Sequence, residues 1–199
     1  MKKPEPINKK LEPTMTLKYL VEVTDKDGKV IQRISAPGRS FVRQWYDAMS
    51  AMADNEGRTV TDTGGTVRAA TPNAACFYAL AAAGITTYGI RIGRGSTAVD
   101  IEDYALETPL EEGVGVDQFE HQASTYSKPA VVASSCSFWI RRAMLNNSGN
   151  TISLIREIGI YARVAASYYM LGVRDVLPGA VAVPDGGAIT VTYTIGVTV

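Results

Sequence analysis

Six consecutive residues in this chain have the types and order of a phosphate-binding turn. Gly93-Arg94-Gly95-Ser96-Thr97-Ala98 fits G-x-G-x-x-[GA], in which glycines let backbone N–H groups close on a pyrophosphate. That chemistry needs a helix N-terminus directly behind the glycines. The residues that follow, Thr97-Ala98-Val99-Asp100-Ile101-Glu102-Asp103-Tyr104, instead set apolar positions nearly every second residue and place acids where phosphate charge would sit. No βαβ alternation surrounds the motif, so a doubly wound parallel sheet cannot be built around it. The expectation is a strand, YGIRI, that turns through glycines into an exposed loop and binds no nucleotide.

Other chemistry fares no better. His121 is the only histidine, and neither a G-x-S-x-G elbow nor a catalytic cysteine context accompanies it, which argues against a triad. Between residues 100 and 120 the acids Asp100, Glu102, Asp103, Glu107, Glu111, Glu112 and Asp117 gather with no Lys or Arg among them. Two of them could serve a glycosidase, or several a hard cation, but spacing alone establishes neither. A solvated acidic loop is the expectation, with Asp100, Glu102 and Asp103 as candidate contact residues. Asp25-Lys26-Asp27-Gly28 resembles the start of a calcium loop, yet the twelfth position holds Ala36 instead of the bidentate acid, so a plain turn is expected. Arg141-Arg142 beside Phe138-Trp139 suggests nucleic-acid stacking, but on an alternating strand the two arginines face opposite ways.

The chain must position whatever it carries with one core. It has 199 residues, 46% hydrophobic and 20% charged, enough for a single folded domain at residues 14–199. Twenty basic residues balance twenty acidic ones, which removes the positive field of a dedicated nucleic-acid binder. No apolar run is long enough to cross a bilayer, and MKKPEPINKK lacks the apolar centre of a signal peptide; cytoplasmic synthesis and no membrane partner are expected. Cys76 and Cys136 lie far apart without metal-ligand spacing, so buried thiols are expected. No cofactor is expected. Residues 1–13, MKKPEPINKKLEP, contain three prolines and four lysines and predict an extended arm whose Lys2, Lys3, Lys9 and Lys10 are candidate contacts with a partner.

Hydrophobic spacing predicts a mainly β fold: an antiparallel β-sandwich with one α-helix packed on it. MTLKYLVEVT and KVIQRI flank the DKDG turn as a hairpin. Ser40 caps a predicted helix over 40–54, with Phe41, Trp45, Ala48, Met49 and Met52 recurring three or four residues apart. Residues 58–70 read as two short strands joined at Gly64-Gly65, and residues 73–83 suit either helix or strand. Strands are predicted within 131–145, 151–164 and 167–176. The clearest is the last, where Ile189, Val191, Tyr193, Ile195, Val197 and Val199 alternate mainly with threonines. Read as a long edge, it would invite pairing with a neighbouring subunit.

Three stretches in order resemble small structural proteins of tailed-bacteriophage virions: GRSFVRQWYDAM at 38–49, YGIRIGRGSTAVDIEDYALETPLEEG at 88–113, and the run 138–199 with LNNSGNTISLIREIGIY, MLGVRDVL and a P-x-G-G-x-ITVTYTI ending. The resemblance covers about half the chain. It implies a non-enzymatic β-sandwich virion component made in the bacterial host cytoplasm, a homo-oligomer whose partners are copies of itself and other virion proteins, in the tail or neck. Alternatives are a capsid decoration protein, gripped through the basic arm, and a carbohydrate-binding sandwich using Trp45, Trp139, Tyr168 and Tyr169 as exposed platforms.

Overall fold

The computed structural model describes residues 14–38, 40–54, 57–70, 77–165 and 168–199; the predicted arm, with Lys2, Lys3, Lys9 and Lys10, lies outside them. The hairpin forms as expected, β1 (Thr14–Thr24) against β2 (Val30–Gly38). Asp25 closes its turn by accepting the N–H groups of Asp27 and Lys29, and Gly28 takes a φ of 79° that suits glycine. The remaining strands are β3 (Arg58–Thr61), β4 (Val67–Ala70), β5 (Gly89–Gly93), β6 (Glu111–Glu112), β7 (Gln118–His121), β8 (Thr125–Tyr126), β9 (Ala130–Val132), β10 (Ser135–Leu145), β11 (Ile152–Ala165), β12 (Tyr168–Val183) and β13 (Ala188–Thr198).

Two sheets make the sandwich. The larger runs β2-β1-β13-β10-β7-β6, with β8 and β9 also pairing along β10; the smaller runs β12-β11-β5. Pairing is antiparallel apart from the short β6–β7 contact. Period-two patterning explains the layering. Leu17, Tyr19, Val21 and Val23 of β1 and Ile189, Val191, Tyr193 and Ile195 of β13 face inward and pack with Ile90, Ile92, Ile158, Ile160 and Val173 of the smaller sheet. Threonines of β13 take the opposite face. Pro178 falls inside β12, which is tolerated because that strand is an edge of its sheet.

The expected edge role of the last strand is overturned: β13 is central, paired along its length with β1 on one side and β10 on the other. Alternation reports which face is buried and is silent on which flanks are occupied, so an interior strand and an edge strand look alike in sequence. The uncertain stretch 73–83 carries no helix among its described residues 77–83; Tyr78 instead bridges to Arg163.

The helix, α1 (Arg43–Asp54), starts three residues later than expected because Phe41 is pulled into an antiparallel bridge with Val173, and Val42 donates to Gly172 O at 3.2 Å. Its apolar stripe also differs. Gln44, Trp45, Ala48 and Ala51 are buried, whereas Met49 and Met52 are nearly half exposed. Trp45 sits between Phe41 and Phe77, with ring centroids at 4.7 and 4.5 Å. Small alanines let the helix lie close over Ala162, Val164 and Met170, joined by Val60 of the β3–β4 hairpin. Trp45→Ala is expected to cost about 3–5 kcal/mol in denaturant unfolding, and Met49→Ala or Met52→Ala no more than about 0.5 kcal/mol. Equal losses at Trp45 and Met49 would refute this assignment of faces.

Candidate functional site

The glycine turn is built on β5, whose five residues are all buried, and β5 ends where Gly93 pairs with Glu157 of β11. No helix follows. The segment 94–110 folds back over the outer face of the smaller sheet, where Leu106 packs with Tyr161 and Leu171 and its N–H donates to Tyr161 Oη at 2.8 Å. Inner-face residues of β11, Ile158 and Ile160, serve the sandwich core, so Glu157, Gly159 and Tyr161 are left to this covering segment.

At the centre of that contact lies Glu157, fully buried. Its Oε1 accepts the N–H groups of Gly95 at 2.9 Å and Thr108 at 2.8 Å; its Oε2 accepts the Glu107 N–H at 3.0 Å and Arg174 Nε at 3.1 Å. Glu107 in turn accepts from the Ser96 and Thr97 N–H groups and the Thr97 hydroxyl at 2.9–3.0 Å. The amides that would cradle a phosphate are therefore taken by the chain's own carboxylates. This also explains the glycines: a Cβ on Gly95 would stand 2.6 Å from Glu157 Oε1, and one on Gly93 would collide with the same oxygen.

Arg174 of β12 completes the cluster, also buried, with Nη1 on Asp103 at 2.8 Å and Nη2 on Thr97 O at 3.2 Å and near Glu107 at 3.5 Å. Burial disfavours its charge, but the hydrogen bonds to Asp103 and Glu157 outweigh that and raise its pKa above the ordinary arginine value. Hydrogen bonds from Thr97, then Ser96, hold the Glu107 carboxyl below the usual range.

The three predicted contact acids do not form one site. Asp103 serves Arg174 and accepts the Asp100 N–H, Asp100 accepts the Glu102 N–H, and Glu102 reaches Arg43 at the start of α1 at 3.3 Å. Nor is the acidic stretch simply solvated. Glu111 pairs with Arg91 and Asp117 bidentately with Arg94, so cations distant in sequence neutralise it. Among the described residues no group of three or more His, Cys, Asp or Glu side chains is arranged to hold a metal ion. Arg141 and Arg142 do face opposite ways: Arg141 lies over the Trp139 ring at 4.9 Å, and buried Arg142 donates to the carbonyls of Gln122, Ile90, Ala82 and Ile85.

Glu157 and Arg174 escaped the sequence reading, though a signal existed: each belongs to an adjacent pair of opposite charges, Arg156-Glu157 and Arg174-Asp175, set within a mostly apolar strand run, so that alternation turns one member of each pair to either face. Next to Arg174, Asp175 faces the other way into the sandwich, accepting from Ser40 Oγ at 3.0 Å and Tyr193 Oη at 3.1 Å. That hydrogen bond crosses from the smaller sheet to the larger one. Of the four aromatics proposed as sugar platforms, Trp45 is buried, Trp139 lies under Arg141, Tyr168 under Arg68, and Tyr169 stacks on Tyr88 at 5.9 Å. The three rings other than Trp45 are half-buried, and each has one face already taken.

His121 is buried, and Nδ1 has two acceptors, Glu112 Oε2 at 2.8 Å and Phe119 O at 3.1 Å. Nδ1 therefore carries the proton, and Nε2 is a buried lone pair without a partner among the described residues. Burial, then the positive charge of Arg142, pushes the imidazole down to about 4, against a modest opposing pull from Glu112.

Comparison of the chain with models of protein families, with curated proteins and with solved structures returns no match.

Replacing Glu157 by Gln would turn an amide N–H₂ toward existing donors and leave Arg174 without its buried counter-charge. The expected cost is about 3–5 kcal/mol by chemical denaturation. A loss below about 1 kcal/mol would show that the loop amides do not depend on this carboxylate. His121 supplies a second test. Its folded pKa lies below the unfolded value, so its contribution is complete above about pH 6.5 and is lost as pH falls toward 4. Stability should drop by about 2 kcal/mol between pH 7 and 5, and His121→Leu should flatten that slope. An identical slope in the variant would exclude His121 as its source.

Proposed function

We propose that this chain is a non-enzymatic structural protein of a tailed-bacteriophage virion, assembling as repeated copies in the tail or neck, with copies of itself and other virion proteins as partners. One observation carries the assembly part of the reading. On the inner face of the larger sheet, Met15, Val197, Cys136 and Val131 lie in one row across β1, β13, β10 and β9, paired in direct register. The next row, Leu17, Ile195 and Phe138, packs into the core, but in the outer row Met15 is 49% exposed, Val197 40% and Val131 75%. A core-facing surface that continues into solvent is the kind of contiguous apolar patch that a neighbour covers.

The chemistry near the glycine turn supports a structural role in a second way. Its amides, acids and arginine satisfy one another, so the groups that would hold a substrate are spent on holding a loop. The motif order at 38–49, 88–113 and 138–199 directs the reading to tailed-phage virions. It is made in the host cytoplasm, joins the virion, and uses no membrane, cofactor or specific nucleic-acid site.

Quantitative mass spectrometry of purified particles, with antibody labelling in electron micrographs, tests this. The expected result is a few tens of copies or fewer, labelled at tail or neck. A copy number near that of the capsid protein would make it a head decoration protein instead, and absence from particles would overturn the virion reading.

A further inference from the structure

The two ends of the larger sheet carry apolar features of opposite shape. At the end where β10 begins, Phe77, Tyr78, Leu80, Tyr126 and Phe138 line a groove of about 290 Å³ between segment 77–80 and strands β8 and β10. Phe138 stands in the row next to Met15, Val197 and Val131, so the groove adjoins the uncovered surface described above. At the other end is the loop 113–117 between β6 and β7, where Val114 is 57% exposed and Val116 74%. Its shape is fixed from within. Gly113 N–H donates to Phe119 O at 3.1 Å, Gly115 N–H to Gln118 Oε1 at 2.9 Å and Gln118 N–H to Gly115 O at 3.1 Å, while Arg94 holds Asp117. A Cβ on Gly113 or Gly115 would collide with the Gln118 side chain. A loop held this firmly loses little freedom on docking, and what it presents to water is two valines.

One copy cannot fill its own groove with this loop. Ile140 pairs with Tyr126 and Leu145 with Glu120, so roughly 17 Å of β10 separate the two pairs, and the antiparallel run of β7 carries Gln118 and the loop further away. Charge selects the occupant. Residues 111–120 hold Glu111, Glu112, Asp117 and Glu120 without a Lys or Arg, and Arg91 and Arg94 offset Glu111 and Asp117, which leaves the loop end negative. Residues 121–156 hold no Asp or Glu; at the groove, Lys128 is exposed two residues beyond Tyr126, and Arg163 lies over the Tyr78 ring at 4.7 Å. An acidic projecting end and a basic concave end suit each other and repel their own kind, which favours head-to-tail contact over face-to-face. We infer that Val114 and Val116 of one copy seat in the groove formed by Phe77, Tyr78, Tyr126 and Phe138 of the next, so that copies join head to tail. This rests on the assembly reading above and names the two surfaces that meet.

Paired cysteines read the contact. In a background with Cys76→Ser and Cys136→Ser, Val116→Cys is made in one preparation and Tyr126→Cys in another, and both are oxidised mildly and run on non-reducing gels. Disulfide-linked dimers are expected when the two are mixed and not from either alone, and a chain carrying both substitutions is expected to give a ladder of longer species. Sedimentation reads the same contact without a cross-link. Val116→Asp and Lys128→Glu are each expected to weaken self-association at least about tenfold, added salt to weaken it in the parent chain, and the melting temperature to stay unchanged because both side chains are exposed. Links that form as readily from Val116→Cys alone would mean that the loops face each other and would overturn the head-to-tail contact, as would self-association that Val116→Asp leaves intact; in either case the assembly reading stands. A chain that stays monomeric at high concentration also overturns this inference, while the copy number in particles decides the virion reading separately.

Discussion

A carboxylate that receives four donors holds the smaller sheet and its covering loop together. Glu157 projects from the middle strand of three, and everything on that side of the sheet is arranged about it: Arg174 from the neighbouring strand and the amides of Gly95, Glu107 and Thr108 from the folded-back segment. A buried ion is tolerated only when its lone pairs are met in good geometry, and here both oxygens are fully engaged. The loop's path follows from that requirement. Without the carboxylate, three amides would lose their acceptor and a guanidinium its counter-charge.

The glycine motif is accounted for by the same interaction. A dinucleotide turn and this turn solve one problem, the close approach of an anion to consecutive backbone N–H groups, and glycines serve both because a Cβ would occupy the anion's place. What differs is the source of the anion. In a cofactor enzyme it arrives with the ligand; in this chain it is supplied by Glu157 and Glu107, so the turn is closed from within. A motif defined by glycine spacing records the anion's approach and leaves its identity open.

How much could be read in advance varies with the range of the interaction. Strands such as β13, with apolar residues and threonines alternating over eleven residues, declared themselves, and so did the hairpins at Asp25–Gly28 and Gly64–Gly65. These depend on local chemistry. Whether β13 lay inside or at the edge depended on partners far along the chain, and no local pattern encodes that. The helix was visible but rotated, because Met49 and Met52 are as apolar as Trp45 and only the packed alanines show which stripe the sheet accepts. The acidic stretch misled for a similar reason: its counter-charges, Arg43, Arg91, Arg94 and Arg174, come from other elements, and composition within the stretch could not reveal them.

The central placement of β13 also governs the order in which the molecule can be completed. It is the last of the described strands to be translated, yet both β1, the first, and β10 need it as their partner. While the ribosome is still adding residues to the chain, the β1–β2 hairpin and β10 each present an unpaired flank lined with apolar side chains, and the larger sheet exists as two separate pieces. The sheet can close only once residues 188–198 have emerged, a long-range event that is slow compared with local hairpin formation. Until then those flanks are competent to pair with other nascent chains, so the interval before residues 188–198 emerge is the one in which the growing chain is most exposed to aggregation.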